Sequence, residues 1–340
     1  MLLLGDEFML VLAKAVMAIM IGFACSAFLG YFVVKWFKKK QVRQNVSLTL
    51  GKRHLKKNGT STAGGIIFII PTLVIMIFLI LTGKVEFSTN LFIVLFVFVS
   101  YAILGGIDDY LVVKRHNIEG LSIFTKLLFQ IVIALVFFYI FMSSGNEPIV
   151  DIHTLGIKIN LGWLYGIFLL FVLIAGSNAV NITDGLDGLA GGLSAIAFFA
   201  FGIITWGASW ASGNEAVAIF CFVLVGSLVG FLVYNCYPAK IFMGDTGSLA
   251  LGGFVASIAI LTKMPIMLVI VGLVYVCESL SVIIQVTYFK ATKGKRIFKM
   301  APIHHHFELC GLEGIKVVQL FWIFTAIMCL IGFVAARHFM

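Results

Sequence analysis

Ten stretches of mostly apolar residues run through this 340-residue chain, at 9 to 35, 63 to 82, 91 to 107, 123 to 143, 162 to 178, 189 to 206, 215 to 233, 246 to 262, 265 to 289 and 317 to 336. Each approaches or passes the ~20 residues with which a helix crosses about 30 Å of hydrocarbon. Almost none alternates with the two-residue period of a barrel strand. Within a bilayer only helices and closed barrels satisfy their own backbone. The chain therefore reads as all-α, a polytopic integral membrane protein with about ten transmembrane helices. Composition agrees, with 61% hydrophobic and 11% charged residues, where soluble domains carry roughly half and a quarter. The first stretch is long for a cleaved signal, and its basic cluster, Lys35 to Lys40, follows the apolar run instead of preceding it, so it reads as a true span.

Orientation comes from charge. Most of the 24 Lys and Arg lie in alternate loops, at 35 to 57, 114 to 126, 240 and 290 to 316. The excess of basic residues marks those loops as cytoplasmic, which puts both termini outside. The net charge of +9 is mostly this topology signal, plus attraction to anionic lipid headgroups or phosphates. No soluble domain supports a nucleic-acid partner. Six scattered cysteines form no CxxC pair and read as small apolar packers. Neither a repeat nor a linker divides the chain, so residues 1–340 read as a single membrane-embedded domain.

The acids are unevenly placed. Glu86, Glu147, Asp151 and Glu215 lie singly in outer loops, whereas Asp108, Asp109, Asp184, Asp187 and Asp245 sit in glycine-rich inner segments at helix ends. In "SNAVNITDGLDGLAGG" (177–192), Asn178, Asn181, Asp184 and Asp187 recur every three residues, but Gly185 and Gly188 interrupt, favouring a tight loop that feeds a helix. Turns and a helix cap account for at least one of these Asp. A calcium loop fits poorly, because Gly192 stands where a bidentate Glu is needed. In "FMGDTGSLALGG" (242–253), Asp245 is either a helix cap or a metal-holding carboxylate beside free N–H groups that favour phosphate. "GGIDDYLVVKRHN" (105–117) sets two carboxylates side by side at a membrane boundary, an arrangement that is costly unless used. Lys126 reads as a site residue or as a snorkelling anchor. Glu278, inside the ninth stretch, marks a break in that helix with a polar partner or a water cavity.

Scattered carboxylates, asparagines, glycine-rich helix starts and lysines on one face suggest a phosphoryl site assisted by Mg²⁺, which takes one or two carboxylates plus water and substrate phosphates. "MAPIHHHFE" (300–308) adds three consecutive histidines. On a helix they point roughly 100° apart and cannot share one metal, so they read as donors to a pyrophosphate or sugar.

The runs "KKNGTSTAGG", "GGIDDY", "SNAVNITDGLDGLAGG", "YNCYPAKIFMGDTGSLALGG" and "RIFKMAPIHHHFELCG" resemble the polyprenyl-phosphate N-acetylhexosamine-1-phosphate transferases. The histidine loop points within them to the phospho-N-acetylmuramoyl-pentapeptide-transferase family. One departure is Ser61, within Thr60 to Gly65, where the family run has Pro; losing that Pro is expected to relax the loop.

The resemblance implies transfer of phospho-MurNAc-pentapeptide from UDP-MurNAc-pentapeptide to undecaprenyl phosphate, giving lipid I and UMP, with Mg²⁺. It implies Asp245 as principal metal ligand, Asp108 as general base with Asp109 beside it, and Asn181 and Asp184 as active-site polar groups. Asp187, Asn235, Gly185, Leu186 and Phe242 resemble a uridine pocket, and Lys57, Thr62, Lys114 and Lys126 the phosphate-side groups. His304, His305 and His306 match a loop closing over the sugar-phosphate. Nucleoside-antibiotic inhibitors, membrane lipids as partners, a homodimer and a multi-pass place in the bacterial inner membrane, with the active site on its cytoplasmic face, complete the expectation. Two rivals stand: a sibling moving GlcNAc-1-phosphate, which should lack the histidine loop, and a secondary transporter, whose acids should lie near mid-membrane.

Overall fold

The apolar runs become helices whose polar ends extend further than their hydrophobicity. The computed structural model describes residues 2–40, 60–115, 120–152, 156–207 and 214–337. Its helices are α1 Leu2–Lys40, α2 Ile66–Leu81, α3 Thr89–Arg115, α4 Ile123–Ser143, α5 Leu164–Thr183, α6 Leu189–Gly207, α7 Glu215–Asn235, α8 Gly244–Leu261, α9 Pro265–Val271, α10 Leu273–Ala291, α11 Ile303–Leu309 and α12 Gly314–Arg337. A small antiparallel hairpin, β1 Ile149–Ile152 and β2 Ile157–Asn160, joins α4 to α5. Among the described residues nine helices are long and apolar enough to cross a membrane, and α2 is a shorter apolar helix of 16 residues. The chain is an all-α, multi-pass membrane protein.

The ninth stretch is broken, at Gly272 between α9 and α10. Glu278 lies six residues further on, inside α10 and fully buried. It does not mark the break, and its carboxylate is met by a polar partner, His304.

At the centre of the bundle, α8 packs between α3 and α5, while α7 packs against α1, α2 and α6. With hydrocarbon outside, close packing of small residues replaces the aqueous hydrophobic effect. Gly226 and Gly230, four apart on α7, seat the backbone of α1, and a Cβ at Gly226 would overlap the Ile19 carbonyl. Ser26 Oγ on α1 lies 2.7 Å from the Ser227 carbonyl oxygen and 3.0 Å from that of Ile67, tying α1 to α7 and α2. Phe98, Phe220 and Phe254 fill the middle of the bundle in edge-on and tilted contacts. Phe28, Phe124, Tyr139, Phe171 and Val334 face outward, a surface suited to lipid. Only Cys221 and Cys329 are buried; Cys25, Cys236, Cys277 and Cys310 are exposed, so most of the cysteines are not core packers.

Candidate active site

Four helix ends converge on one point: the C-terminal ends of α3 and α5 and the N-terminal ends of α4 and α8. Asp108 and Asp109 both ride on the last turns of α3 and are buried, but adjacent helical positions face about 100° apart, and their carboxylates do different things. Asp109 caps α8. It accepts from the Asp245 N–H at 3.2 Å, the Thr246 N–H at 2.9 Å and the Thr246 hydroxyl at 2.6 Å, with Thr62 Oγ1 at 3.5 Å. The N–H groups expected to be free for phosphate at this helix start are therefore already taken by a carboxylate. Gly105 makes the approach possible, since a Cβ there would run into the Asp245 carbonyl.

Asp245 does not cap its own helix. Its Oδ2 accepts from Lys126 Nζ at 2.6 Å and its Oδ1 from Asn181 Nδ2 at 2.8 Å, with Ser248 Oγ 2.9 Å from the same nitrogen. Lys126 Nζ also lies 3.3 Å from Asp108 Oδ1, which accepts from the Leu121 N–H at 2.8 Å. Lys126 is thus a bridge between two carboxylates and not a lipid-facing anchor. Gly120 lies directly against the Asp108 carboxylate and leaves no room for a side chain.

Asn178 and Asn181 lie within α5, which runs on to Thr183, not in a loop. Behind them is Gln130, a residue missed in the sequence. It is buried on α4, accepts from Asn178 Nδ2 at 3.0 Å and reaches Ser177 Oγ at 3.4 Å. Its signal was its position, one turn after Lys126 in an otherwise apolar run.

Past α5 the chain turns through Asp184 to Gly188, where Gly188 takes a φ of +80°. Burial pushes the Asp184 carboxyl up to about 7, helped by the nearby charges of Asp245, Asp109 and Asp187. Asp187 accepts from the Ala239 N–H at 3.1 Å. Asn235 spends both ends of its amide on backbone, accepting from Gly188 N–H at 3.1 Å and donating to the Ile241 carbonyl at 3.0 Å. Leu186 is buried. Phe242 pairs through its backbone with the Thr60 to Gly65 segment, its N–H reaching the Ser61 carbonyl and its carbonyl the Gly64 N–H, both at 2.8 Å. The first of these bonds uses the carbonyl of residue 61, which Pro would also offer.

The three histidines have separate partners. His304 Nδ1 lies 3.0 Å from Glu278 Oε2 and His305 Nδ1 2.9 Å from Glu308 Oε2, while His306 Nδ1 accepts from the Lys299 N–H at 3.1 Å. Of the three, His304 abuts the Asp184 to Gly188 turn, its ring against Gly185. Lys114 is exposed at the end of α3, with Nζ 5.6 Å from the centre of the Tyr110 ring; the lysine of the carboxylate cluster is Lys126. Lys57 lies outside the described residues.

Lys126 pairs with both Asp108 and Asp245, and beside them burial first, then the charges of Asp245, Asp109 and Asp187, raises the Asp184 carboxyl. Among the described residues no group of three His, Cys, Asp or Glu could hold a metal ion by itself. The carboxylates of Asp108 and Asp245 are a donor set of the kind Mg²⁺ accepts, since it takes one or two protein carboxylates and fills its shell with water and phosphate oxygen.

Residues 91–263 match the model of glycosyl transferase family 4. That region spans α3 to α8 and holds all of the clustered aspartates. The phospho-N-acetylmuramoyl-pentapeptide-transferases of Bacillus licheniformis and Bacillus subtilis are each 46% identical to the chain over 92% of its length and 95% of theirs. The chain belongs to the phospho-N-acetylmuramoyl-pentapeptide-transferases. A Geobacillus phospho-N-acetylmuramoyl-pentapeptide-transferase, 44% identical over 93% of the chain and 96% of its own length, agrees. As a phospho-N-acetylmuramoyl-pentapeptide-transferase, the chain is an enzyme of peptidoglycan synthesis that transfers a glycosyl-1-phosphate. The transporter reading falls with this membership.

Proposed function

We propose that the enzyme transfers phospho-MurNAc-pentapeptide from UDP-MurNAc-pentapeptide to undecaprenyl phosphate, giving lipid I and UMP, at the cytoplasmic face of the bacterial inner membrane. The observation that carries this reading is the Asp108, Lys126, Asp245 and Asn181 cluster at converging helix ends. A phosphate of the lipid must attack the phosphate bearing the sugar, so two anions have to meet. A phosphate monoester has a second pKa of about 6 and is mostly dianionic at neutral pH. Positioning and charge neutralisation are therefore the larger task.

In this reading Lys126 gives its ammonium to a substrate phosphate, while Asn181 keeps the Asp245 carboxylate aimed. Asp245 would hold Mg²⁺, which when bound supplies positive charge to the phosphate oxygens and the departing UMP. Asp108 accepts the residual proton of the monoanionic lipid phosphate, or, in a two-step route, attacks the sugar-bearing phosphate and expels UMP, leaving phospho-MurNAc-pentapeptide on Asp108 until the lipid phosphate displaces the carboxylate. Asp109 positions the start of α8 and so the Asp245 carboxylate. Asp187, Gly185, Leu186, Asn235 and Phe242 shape a uridine pocket, Lys57, Thr62 and Lys114 serve the phosphates, and His304, His305 and His306 face the sugar-phosphate. Nucleoside antibiotics would compete at the uridine pocket, and the functional unit is a homodimer.

A comparison of donors tests the reading. UMP release from UDP-MurNAc-pentapeptide with undecaprenyl phosphate supports it; release from UDP-GlcNAc alone would assign the sibling reaction instead. Labelled donor without lipid acceptor separates the routes, since a trapped phosphoprotein supports the two-step one.

A further inference from the structure

His304 and Glu278 form a buried pair joined at 3.0 Å, the histidine 1% and the glutamate 0% exposed. They come from different elements, α11 and α10, and the reading above gives Glu278 no part. Two atoms of the pair, His304 Nε2 and Glu278 Oε1, are buried with no hydrogen-bond partner among the described residues. Nε2 is aimed at Gly185, in the turn beside Asp184, where a Cβ would collide with it.

The missing partner and the pair's charge together specify what Nε2 presents. Burying an uncompensated carboxylate is costly, so the pair is held at zero net charge. Zero charge can be reached with a glutamate and an imidazolium, or with a glutamic acid and a neutral imidazole. In the first, and in the second when the acid proton lies on Oε2 and is donated to Nδ1, Nε2 carries a proton. A lone pair on Nε2 needs either a net negative pair or an acid proton on Oε1, where no acceptor stands among the described residues. The neighbouring Asp184 carboxyl pushes in the same direction when ionised, and His305, its ring centre 4.2 Å away, has Glu308 for its own partner.

The geometry points to Glu278 as a positioning residue that fixes His304 as an Nε2–H donor, aimed past Gly185 at an acceptor oxygen of the donor substrate. The class of group it takes is a phosphate or carbonyl oxygen. This rests on the transferase reading for the substrate but not for the protonation state, which is a property of the protein alone.

Two measurements on the full-length enzyme test it. In nitrogen-15 spectra of ring-labelled histidine, with His304→Gln used for assignment, His304 Nε2 should be protonated at neutral pH in the absence of substrate. An unprotonated Nε2 overturns the proposal whatever the enzyme's substrate proves to be. In kinetics, Glu278→Met should reduce kcat/KM for UDP-MurNAc-pentapeptide about 10- to 100-fold, the scale of a lost charge-assisted hydrogen bond, with KM for undecaprenyl phosphate unchanged. His304→Gln should show the same split, and the double variant no further loss. Glu278→Gln, which can donate to Nδ1 and keep the pair neutral, should restore most of the activity and serves where Glu278→Met fails to fold. Additive losses, equal rises in both KM values, or a Glu278→Gln variant as slow as Glu278→Met would overturn it. Wild-type enzyme inactive on this donor, with Nε2 protonated, would instead refute the substrate assignment.

Discussion

Lys126 holds its ammonium 2.6 Å from Asp245 and 3.3 Å from Asp108, so removing it leaves two carboxylates facing each other. Lys126→Met is expected to lower turnover by about 100-fold or more, the scale of losing one preorganised charge, and a steady-state assay that finds turnover within twofold of wild type would refute its role. Asp245→Asn should cost more turnover than Asp108→Asn at mildly alkaline pH, because loss of a metal ligand is not offset when the lipid phosphate is already deprotonated. Equal losses across a pH and rate series would give the base the larger part. Asp184 carries a stability signature. Its carboxyl stands at about 7 in the folded chain, against 3.8 unfolded, so the folded state holds the extra proton in between and stability falls as pH rises from about 4 to about 7. With divalent ions chelated, Asp184→Asn should melt roughly 2–4 °C above wild type at pH 8, the gap closing at pH 4. A gap that is unchanged or reversed with pH would mean that folding does not raise the Asp184 carboxyl.

The helices themselves show where sequence reading stops. Apolarity ends before the helix does: α5 was expected to finish at 178 and runs to Thr183, and α8 begins at Gly244 instead of 246. The polar residues at those ends belong to the active site, and hydrophobicity cannot distinguish a polar helix turn from a loop. The same effect hid Asp109. From sequence it was one of two equivalent acids, whereas the structure makes it the cap of a helix 136 residues away. Asp109→Ala should therefore destabilise the protein by about 1–2 kcal/mol, the range for a lost cap, as read by thermal unfolding. An unchanged melting temperature would mean that α8 is held by packing alone. Gln130 and the Glu278–His304 pair were illegible for a different reason, since only tertiary contact gives an isolated polar residue in an apolar run its partner.

At the scale of the whole molecule, the helical membrane architecture was plain in ten long apolar runs, because the bilayer allows so few solutions. The break at Gly272 was less plain, since a glycine in an apolar run is common in membrane helices. The motif aspartates were recognisable by their glycine-rich setting, and four of the five crowd together in the structure. Charge asymmetry predicts both termini outside, with the cluster facing the cytoplasm. In intact cells, an impermeant maleimide should label a cysteine placed at Ser144, at the end of α4 away from the cluster, and spare the exposed Cys310 beside α11; the opposite pattern would invert the topology. The central claim is tested most directly by UMP release from UDP-MurNAc-pentapeptide by the purified enzyme, with Mg²⁺ and undecaprenyl phosphate supplied together and singly. The account predicts release over many turnovers only with both, one UMP for each lipid product formed, and its loss in Asp245→Asn; no release, or release that persists with divalent ions chelated, would contradict it.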